Sequence, residues 1–361
     1  MYFEEPVFDA AAPRLALSQT VEGVLLAIPH LPPNTPRAQA EVALRRMVNR
    51  VLSELGETRP VLWYCTPMAV GFTDHLKASV IVYDCTEAPR RGRITPSEWA
   101  QRERWLFERA DVIFTDSHSL CRHTRPLAQH AHVYPFMSSV DVGYFGRARE
   151  QLIEPPDQDE IPHPRVGFCG VIDERVDMAL LGQLASTRPD LQFVMVGPIV
   201  GLDLATLPQS PNLHWLGAKP QTQLTAYIAG WDVAMLPLSC SDATQFTSPS
   251  RAAELLAAGK PVVATPIPNV VEPFGRDGLA WIAEDFGEFS DAIDEALRSD
   301  RYARVIHADA YLAEHSWKAT WEEMWIYVEQ AAASRTTVRN DKARRPKPVG
   351  VSYSASTTVQ R

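Results

Sequence analysis

The sequence predicts an α/β fold made of two doubly wound, Rossmann-like domains. Short apolar runs alternate along the chain with amphipathic helical patterns, and this alternation is typical of βαβ units around a parallel sheet. The alternation stops once, at residues 151–164, and then starts again. A chain of 361 residues is also long enough for two domains of about 150 residues each.

The first predicted domain covers residues 1–150. Its strands are apolar runs, rich in β-branched and aromatic residues and bounded by turn residues, at 23–30, 59–67, 79–84 and 111–116. Residues 38–55 place Leu44, Val48 and Leu55 on one face of a helix, and residues 98–110 repeat that pattern. Strands and helices that alternate in this way favour a parallel sheet.

Residues 151–164 differ in composition from the rest of the chain. The segment QLIEPPDQDEIPHP holds four prolines and four acidic residues. We expect such a segment not to pack as an element, and we interpret it as the interdomain linker.

The second predicted domain covers residues 165–308. Its strands fall at 165–170, 192–198, 213–217, 232–238, 261–266 and 279–283. Its helices fall at 176–187, 220–229, 249–258 and 286–299. A last helix is predicted at 309–333, and the polar residues 334–361 are expected to form a disordered tail.

The composition excludes several classes of protein. A net charge of −9 disfavours nucleic acid as the main partner, because phosphate backbones bind clustered Lys and Arg. The five cysteines are widely spaced, which predicts reduced thiols, no metal site and a cytoplasmic protein. No run approaches the ~20 apolar residues that span a membrane, which leaves only peripheral membrane contact open.

Motifs of the common cofactor and hydrolase classes are absent from the sequence. There is no GxGxxG after a strand, no GxxxxGK[ST], no GxSxG and no HExxH. These absences disfavour NAD or FAD, P-loop nucleotide hydrolysis, an α/β-hydrolase and a zinc protease. We therefore predict that the protein uses no cofactor.

The first turn from strand to helix in the second domain is a candidate phosphate site. Gly170 follows the strand directly and permits a tight turn with close backbone approach. The free N–H groups at a helix start attract anions, and Arg175 adds a guanidinium suited to phosphate. The alternative is a surface arginine that pairs with Asp173 or Glu174.

The strongest signal is the stretch TSPSRAAELLAAGKPVVATP at 247–266. Ser248 is expected to be the helix N-cap and Pro249 the first helical residue. Arg251 and the helix start can hold a diphosphate, while Glu254 can accept hydrogen bonds from both hydroxyls of a ribose. The alternative is an ordinary i,i+3 salt bridge between Arg251 and Glu254, worth ~0.2–0.5 kcal/mol.

The chain resembles the GT-B glycosyltransferases, specifically the bacterial group 1 (GT4-like) family. The stretches that carry the resemblance include WYCTP (63–67), VYDCTE (82–87), ERADVIFTDS (108–117), GVIDERVD (170–177), NLHWLGAK (212–219) and SPSRAAELLAAGKPVVATPI (248–267). The resemblance implies two domains facing a cleft, with the nucleotide-sugar donor on the second and the acceptor on the first. It also implies that the last helix crosses back and that no metal ion is needed.

The resemblance assigns roles to single residues on the donor side. Glu254 matches the family's ribose-binding glutamate, and its usual partner glutamate falls at Phe246 here. Arg251 and Arg175 match basic residues near the donor diphosphate, and Lys219 is a weaker candidate for the same role.

On the acceptor side, Asp84 and Glu87 resemble the acidic pair at the mouth of the first domain, which contacts acceptor hydroxyls or orients another residue. The alternative is a helix-start or loop carboxylate. Residues MYFEEPVFD resemble the family's second strand, so the first βα unit is expected to be absent. A contiguous exposed apolar patch would follow from that absence.

The implied activity is transfer of a sugar from a UDP- or GDP-linked donor to a cell-surface glycan or lipid-linked acceptor, with retention at the anomeric carbon. No catalytic base can be assigned from the sequence. Two alternatives stay open. One is a non-catalytic nucleotide-sugar-binding partner, and the other is an epimerase or hydrolase on the same architecture.

Overall fold

The computed structural model of the chain describes residues 1–85, 96–128, 132–137, 139–241 and 244–344. The strands of the first half are β1 (Tyr2–Phe3), β2 (Arg14–Gln19), β3 (Leu25–His30), β4 (Val61–Tyr64), β5 (Val80–Cys85), β6 (Val112–Thr115) and β7 (His132–Pro135). Its helices are α1 (Arg37–Glu54), α2 (Val70–Thr73), α3 (Pro96–Arg109), α4 (His118–Thr124) and α5 (Val142–Gly146).

The strands of the second half are β8 (Arg165–Cys169), β9 (Gln192–Val196), β10 (Leu213–Gly217), β11 (Val233–Leu236), β12 (Val262–Ala264) and β13 (Ala280–Ile282). Its helices are α6 (Pro156–Asp159), α7 (Met178–Thr187), α8 (Gln221–Ala229), α9 (Ser250–Ala257), α10 (Pro268–Val270), α11 (Phe286–Arg298) and α12 (Arg301–Glu314). The last helix, α13, spans Trp317–Arg344.

The sheet of the second half has six parallel strands in the order β10-β9-β8-β11-β12-β13. Counted from β8, this is the 3-2-1-4-5-6 order of a dinucleotide-binding fold. The strand order reverses between β8 and β11, so the ends of these two strands form the switch point at which such sheets bind ligands. The predicted α/β class is therefore confirmed, and the sheet also shows where to look for a site.

The first half holds a parallel sheet in the order β4-β5-β6-β7 and a smaller sheet in the order β1-β3-β2. In the smaller sheet, β2 runs antiparallel to β3. Along β5, Ile81 and Tyr83 belong to one apolar cluster, while Val80 and Val82 belong to another. Because side chains alternate along a strand, the parallel sheet has an apolar cluster on each face.

Helix α13 covers one of these faces. Val328 and Ala331 join the cluster against the sheet, and the rings of Tyr134 and Tyr327 stack with centroids 3.8 Å apart. Arg335 Nε lies 2.5 Å from Asp111 Oδ1. The chain therefore returns from the second half to the first through this helix.

Two sequence predictions near the C-terminus are wrong in detail. The helix predicted at 309–333 is two helices, since α12 ends at Glu314 and α13 starts at Trp317. The tail predicted to be disordered from residue 334 is helical as far as Arg344. The rest of that prediction, residues 345–361, falls outside the described residues.

The expectation that residues 151–164 do not pack as an element is also wrong. They contain α6, and the side chain of Gln158 is fully buried. Gln158 Nε2 donates to the carbonyl of Tyr227 at 2.9 Å and Gln158 Oε1 accepts from Trp231 Nε1 at 3.0 Å. The segment packs because partners distant in sequence satisfy its polar groups.

A buried lysine in the second half gives its stability a pH dependence. Lys260 Nζ donates to the carbonyls of Ala229 at 2.8 Å and Trp231 at 2.7 Å. Burial lowers the pKa of Lys260 to about 8, so between about pH 8 and 10.5 the unfolded chain binds a proton that the folded chain does not. Stability must rise with pH across that window.

We expect this contribution to reach about 3 kcal/mol at its limit. Urea unfolding at several pH values gives the free energy of unfolding as a function of pH. The contribution of Lys260 is the slope of that plot for wild type minus the slope for Lys260→Met. The subtraction is needed because burial raises the pKa of the Cys85 thiol to about 12, which acts in the opposite direction. Equal slopes for the two proteins would contradict the prediction.

Candidate functional site

Two glycines bring the backbone together at the carboxyl ends of β8 and β9. Gly170 follows β8 directly and has φ +156°, and its N–H donates to the carbonyl of Val196 at 3.0 Å. A Cβ on Gly197 would lie 1.7 Å from the carbonyl oxygen of Gly170. This close approach requires glycine at position 197. Because glycine has no side chain, a ligand can approach the backbone closely beside the switch point.

Helix α9 places Arg251 and Glu254 next to the end of β8. The guanidinium of Arg251 contacts the carboxylate of Glu254, and its Nη1 lies 3.6 Å from Cys169 Sγ at the last position of β8. Burial raises the pKa of the Glu254 carboxyl, while Arg251 opposes that rise. The pair predicted from the sequence therefore lies at the switch point, partly shielded from water.

The start of α9 carries two buried hydroxyls. The predicted N-cap is wrong, since α9 begins at Ser250 with Pro249 at the N-cap and no side-chain cap. The Ser248 and Thr247 hydroxyl oxygens are buried, and neither has a hydrogen-bond partner among the described residues. Buried polar groups are ordinarily satisfied, so two such hydroxyls beside free helix N–H groups indicate a place for a hydrogen-bonding ligand.

Arg175 follows β8 as well, but its guanidinium is already paired with a carboxylate. Its N–H groups contact the Asp173 carboxylate at 3.0 Å, as the surface-pair alternative predicts. Its carbonyl accepts from the N–H of Ser239 at 2.8 Å, which places the loop after β8 beside the loop after β11. Burial of Asp173 works against its ionisation, but the hydrogen bond from Arg175 holds its pKa below the usual value.

Lys219 points elsewhere. Its Nζ lies 2.5 Å from Asp157 Oδ2 on α6 and 5.2 Å from the ring centre of Tyr227. The structure thus pairs Lys219 with the segment at 151–164.

On the first half, Asp84 lies near the carboxyl end of β5. Trp63 Nε1 donates to Asp84 Oδ2 at 3.3 Å. Burial raises the pKa of Asp84, and the bond from Trp63 offsets part of that rise. The other acceptor-side candidate, Glu87, falls outside the described residues.

The two halves meet beside the start of α9. Ser119 Oγ donates to the carbonyl of Gln245 at 2.9 Å, and the Ser119 N–H lies 3.4 Å from Asn269 Oδ1. Asn269 Nδ2 in turn donates to the carbonyl of Thr247 at 2.9 Å. The sequence analysis did not predict this junction. The one local signal for it was Ser117, a residue type that favours helix N-caps, which starts the helix α4 that contains Ser119.

The family comparison matches the second half of the chain. Residues 163–299 match the family described as glycosyl transferases group 1. The putative teichuronic acid biosynthesis glycosyltransferase TuaH of Bacillus subtilis (strain 168) is 27% identical over 252 residues, which is 63% of this chain and 62% of that protein. The match thus spans less than two thirds of that relative's length.

Solved structures extend the similarity to the whole architecture. A sucrose-phosphate synthase from Thermosynechococcus elongatus has a TM-score of 0.65 over 91% of this chain and 88% of that chain, at 15% identity. A trehalose-6-phosphate structure from E. coli bound with UDP-2-fluoro glucose has a TM-score of 0.65 over 91% of both chains, at 10% identity. Both likenesses are of the fold.

The second half of this chain is therefore similar to the group 1 glycosyltransferases. The predicted likeness to group 1 glycosyltransferases is confirmed over residues 163–299, and the predicted GT-B architecture is confirmed.

Phe246 departs from the pattern that the family resemblance predicts. Its ring lies 5.0 Å from that of His123 in α4 and packs against an apolar cluster of the first half. The position where the resemblance expects a carboxylate therefore joins the two halves by an apolar contact.

Two further features of the structure concern metal ions and membranes. Within the described residues, no group of three or more His, Cys, Asp or Glu side chains is placed to hold a metal ion. None of the helices described is both long and apolar enough to cross a membrane.

Proposed function

We propose that the protein transfers a glycosyl unit from a UDP-linked sugar to a growing cell-surface glycan. The single observation that carries the proposal is the start of α9, where Arg251 and Glu254 lie beside two buried hydroxyls that have no partner in the described chain. The name of the B. subtilis relative supports a polysaccharide product. The UDP-2-fluoro glucose bound in one structural neighbour supports UDP over GDP.

The donor diphosphate would lie over the switch point. Its oxygens accept hydrogen bonds from the first N–H groups of α9, from the hydroxyls of Thr247 and Ser248, and from Arg251. Gly170 leaves room for close approach. The carboxylate of Glu254 accepts hydrogen bonds from the two ribose hydroxyls. Arg175 contributes only where the diphosphate competes with Asp173, and Lys219 would have to leave Asp157 to take part.

The reaction breaks the bond between the anomeric carbon and the β-phosphate oxygen. That oxygen takes up negative charge as it leaves, and Arg251 and the start of α9 are placed to stabilise this charge. The acceptor hydroxyl forms the new bond to the anomeric carbon and loses its proton. We infer retention from the family resemblance, and we assign no side chain as a base.

The two sheets suggest separate binding sites for the donor and the acceptor. We propose that residues 165–308 bind the donor and that residues 1–150 bind the acceptor, with Asp84 near the acceptor hydroxyls. A lipid-linked saccharide fits the same scheme, because the contacts are with its sugar. The assignment of donor binding to the second half can be tested by expressing residues 151–314, which keep all of α12, and measuring whether UDP still binds.

Calorimetric titration of UDP, GDP, dTDP and ADP tests the donor site. We expect UDP to bind, and Glu254→Ala to lose about 1–3 kcal/mol, or roughly 5- to 150-fold in Kd, because two ribose hydroxyls lose their acceptor. Glu54→Ala is the matched control, since Glu54 forms an exposed i,i+4 pair with Arg50 on α1. Equal affinity in wild type and Glu254→Ala would remove Glu254 from the site.

One observation favours a second candidate, a binding partner that holds the nucleotide sugar without turning it over. Phe246 replaces a carboxylate that the resemblance places near the donor sugar, and it is committed to His123. Product analysis with UDP-glucose separates the candidates. Glycosyl transfer to an acceptor supports the enzyme, while tight UDP binding without any product supports the partner.

A further inference from the structure

A row of tryptophans lies exposed on the first turns of α13. Trp317, Trp321 and Trp325 follow one another at intervals of four residues, and 61%, 51% and 37% of their surfaces are exposed. Residues four apart lie on one face of a helix, about 6 Å apart along its axis. Contiguous apolar surface of this kind is unusual on a protein unless it binds something.

The row is continuous with the candidate acceptor side. Trp321 stacks on Trp325 with centroids 5.6 Å apart, and on Trp63 of β4 with centroids 5.5 Å apart. Trp63 Nε1 is the donor to Asp84. An aromatic path through Trp325, Trp321 and Trp63 thus leads from the exposed helix to the half-buried carboxylate of Asp84.

The direction of α13 places this row at the carboxyl ends of the strands of the first half. Thr320 lies 2.8 Å from Ser139, hydroxyl to hydroxyl, and Ser139 follows the carboxyl end of β7. Arg335, farther along the helix, reaches Asp111 just before β6. The tryptophans therefore lie at the carboxyl ends of the strands, the edge where such sheets bind ligands.

The charges around the row fit a polyhydroxyl ligand better than an anionic surface. Trp325 Nε1 donates to Glu329 at 2.9 Å. The cation Lys318 lies 3.9 Å from Glu322. Carboxylates accept hydrogen bonds from sugar hydroxyls, while the C–H-rich face of a sugar ring packs on the negative face of an indole. Membrane-surface helices instead carry Lys and Arg on their polar face.

We propose that Trp317, Trp321 and Trp325 form a subsite for the non-reacting sugar units of a glycan acceptor. Successive units each pack on one indole, so that the chain end is directed toward Asp84. The proposal rests on the proposed function in taking the first half as the acceptor side. It adds that the acceptor is an oligosaccharide or polysaccharide held over several units.

Titration of neutral hexasaccharides of the cello, malto, manno and chito series into the full chain tests this subsite by tryptophan fluorescence. We expect at least one to bind and change the emission. Trp325→Ala and Trp317→Ala should each weaken that binding about 3- to 10-fold, as expected for the loss of one stacking contact. Trp321 is left unchanged in this test because it packs on Trp63 and supports α13.

Tyr302→Ala is the matched control, because Tyr302 is 76% exposed on α12 and lies outside the row. It should bind the hexasaccharide as wild type does. Failure of all four sugars to bind, or equal affinity in both tryptophan variants and wild type, would overturn the subsite. Flotation with phosphatidylcholine and phosphatidylglycerol vesicles, if it required these tryptophans while no sugar bound, would replace the subsite by a membrane surface.

Titration of UDP into the same samples distinguishes the two proposals. Both tryptophan variants should bind UDP as wild type does, since the row lies on the other half of the molecule. If UDP binds and no hexasaccharide does, the subsite is wrong and the donor site stands. If a hexasaccharide binds through the row and UDP does not bind, the donor site is wrong and the subsite stands as a carbohydrate-binding surface.

Discussion

Arg251→Ala should lower kcat/KM for glycosyl transfer by about 10²–10³-fold, the effect of removing one preorganised group from developing negative charge. Arg251 is placed between Cys169 at the end of β8 and Glu254 on its own helix. The leaving diphosphate would lose its only cation contributed by α9. Initial rates with a UDP-sugar, together with the Kd of UDP, measure the effect. Arg50→Ala on α1 is a control for loss of an i,i+4 paired arginine.

The double variant Arg251→Met with Glu254→Leu separates catalysis from stability. Replacing both members of a shielded ion pair by apolar residues of similar size is often neutral or stabilising. We therefore expect this variant to unfold at a urea concentration close to that of wild type and to have no turnover. If Arg251→Ala instead keeps wild-type turnover and only lowers stability, the pair is a structural i,i+3 salt bridge.

The second half was predictable from the sequence because its central strands, β8, β11 and β12, are buried along their whole length. Met235, for example, is fully buried, and such strands appear as continuous apolar runs that need no partner to be recognised. The helix that follows β11 was predictable too, since Gly259 with φ +73° ends it in the left-handed conformation that favours glycine.

The first half was harder to predict where its elements are exposed. Strand β2 contains Ser18 and Gln19 and is largely exposed, so no apolar run marks it. Helix α4 is only seven residues long, too short for a clear helical period. Its N-cap, Ser117, is a local signal, whereas the contact that matters, from Ser119 to Gln245, joins residues 126 positions apart.

The residue types of the site could be predicted from the sequence, but the contacts between residues distant in sequence could not. Arg251 and Glu254 lie on one helix, so their spacing alone brings them together. Lys219 is different, because its partner Asp157 lies 62 positions earlier, in a segment that was predicted to be an interdomain linker. Phe246 likewise shows its role only when His123 of the other half is placed beside it.

The ion pair that secures this segment should be worth far more than a surface pair. Arg165 starts β8 with only 2% of its surface exposed, and its guanidinium contacts the carboxylate of Glu154. Its Nε also donates to the carbonyl of Ile161 at 2.6 Å. Removing Glu154 leaves a buried cation without its anion. We expect Glu154→Ala to lower the free energy of unfolding by about 3–5 kcal/mol.

Urea unfolding of Glu154→Ala beside Glu160→Ala measures this cost, because Glu160 is an exposed residue of the same segment and its loss should change stability by less than about 0.5 kcal/mol. The double variant Glu154→Leu with Arg165→Met should recover most of the stability, since no unpaired charge is left inside. Equal costs for Glu154→Ala and Glu160→Ala would mean that the segment is held loosely after all, as its prolines and acidic residues indicate. A large cost confined to Glu154 would show that residues 151–164 fold as part of the second half, anchored through Arg165, the first residue of its central strand β8.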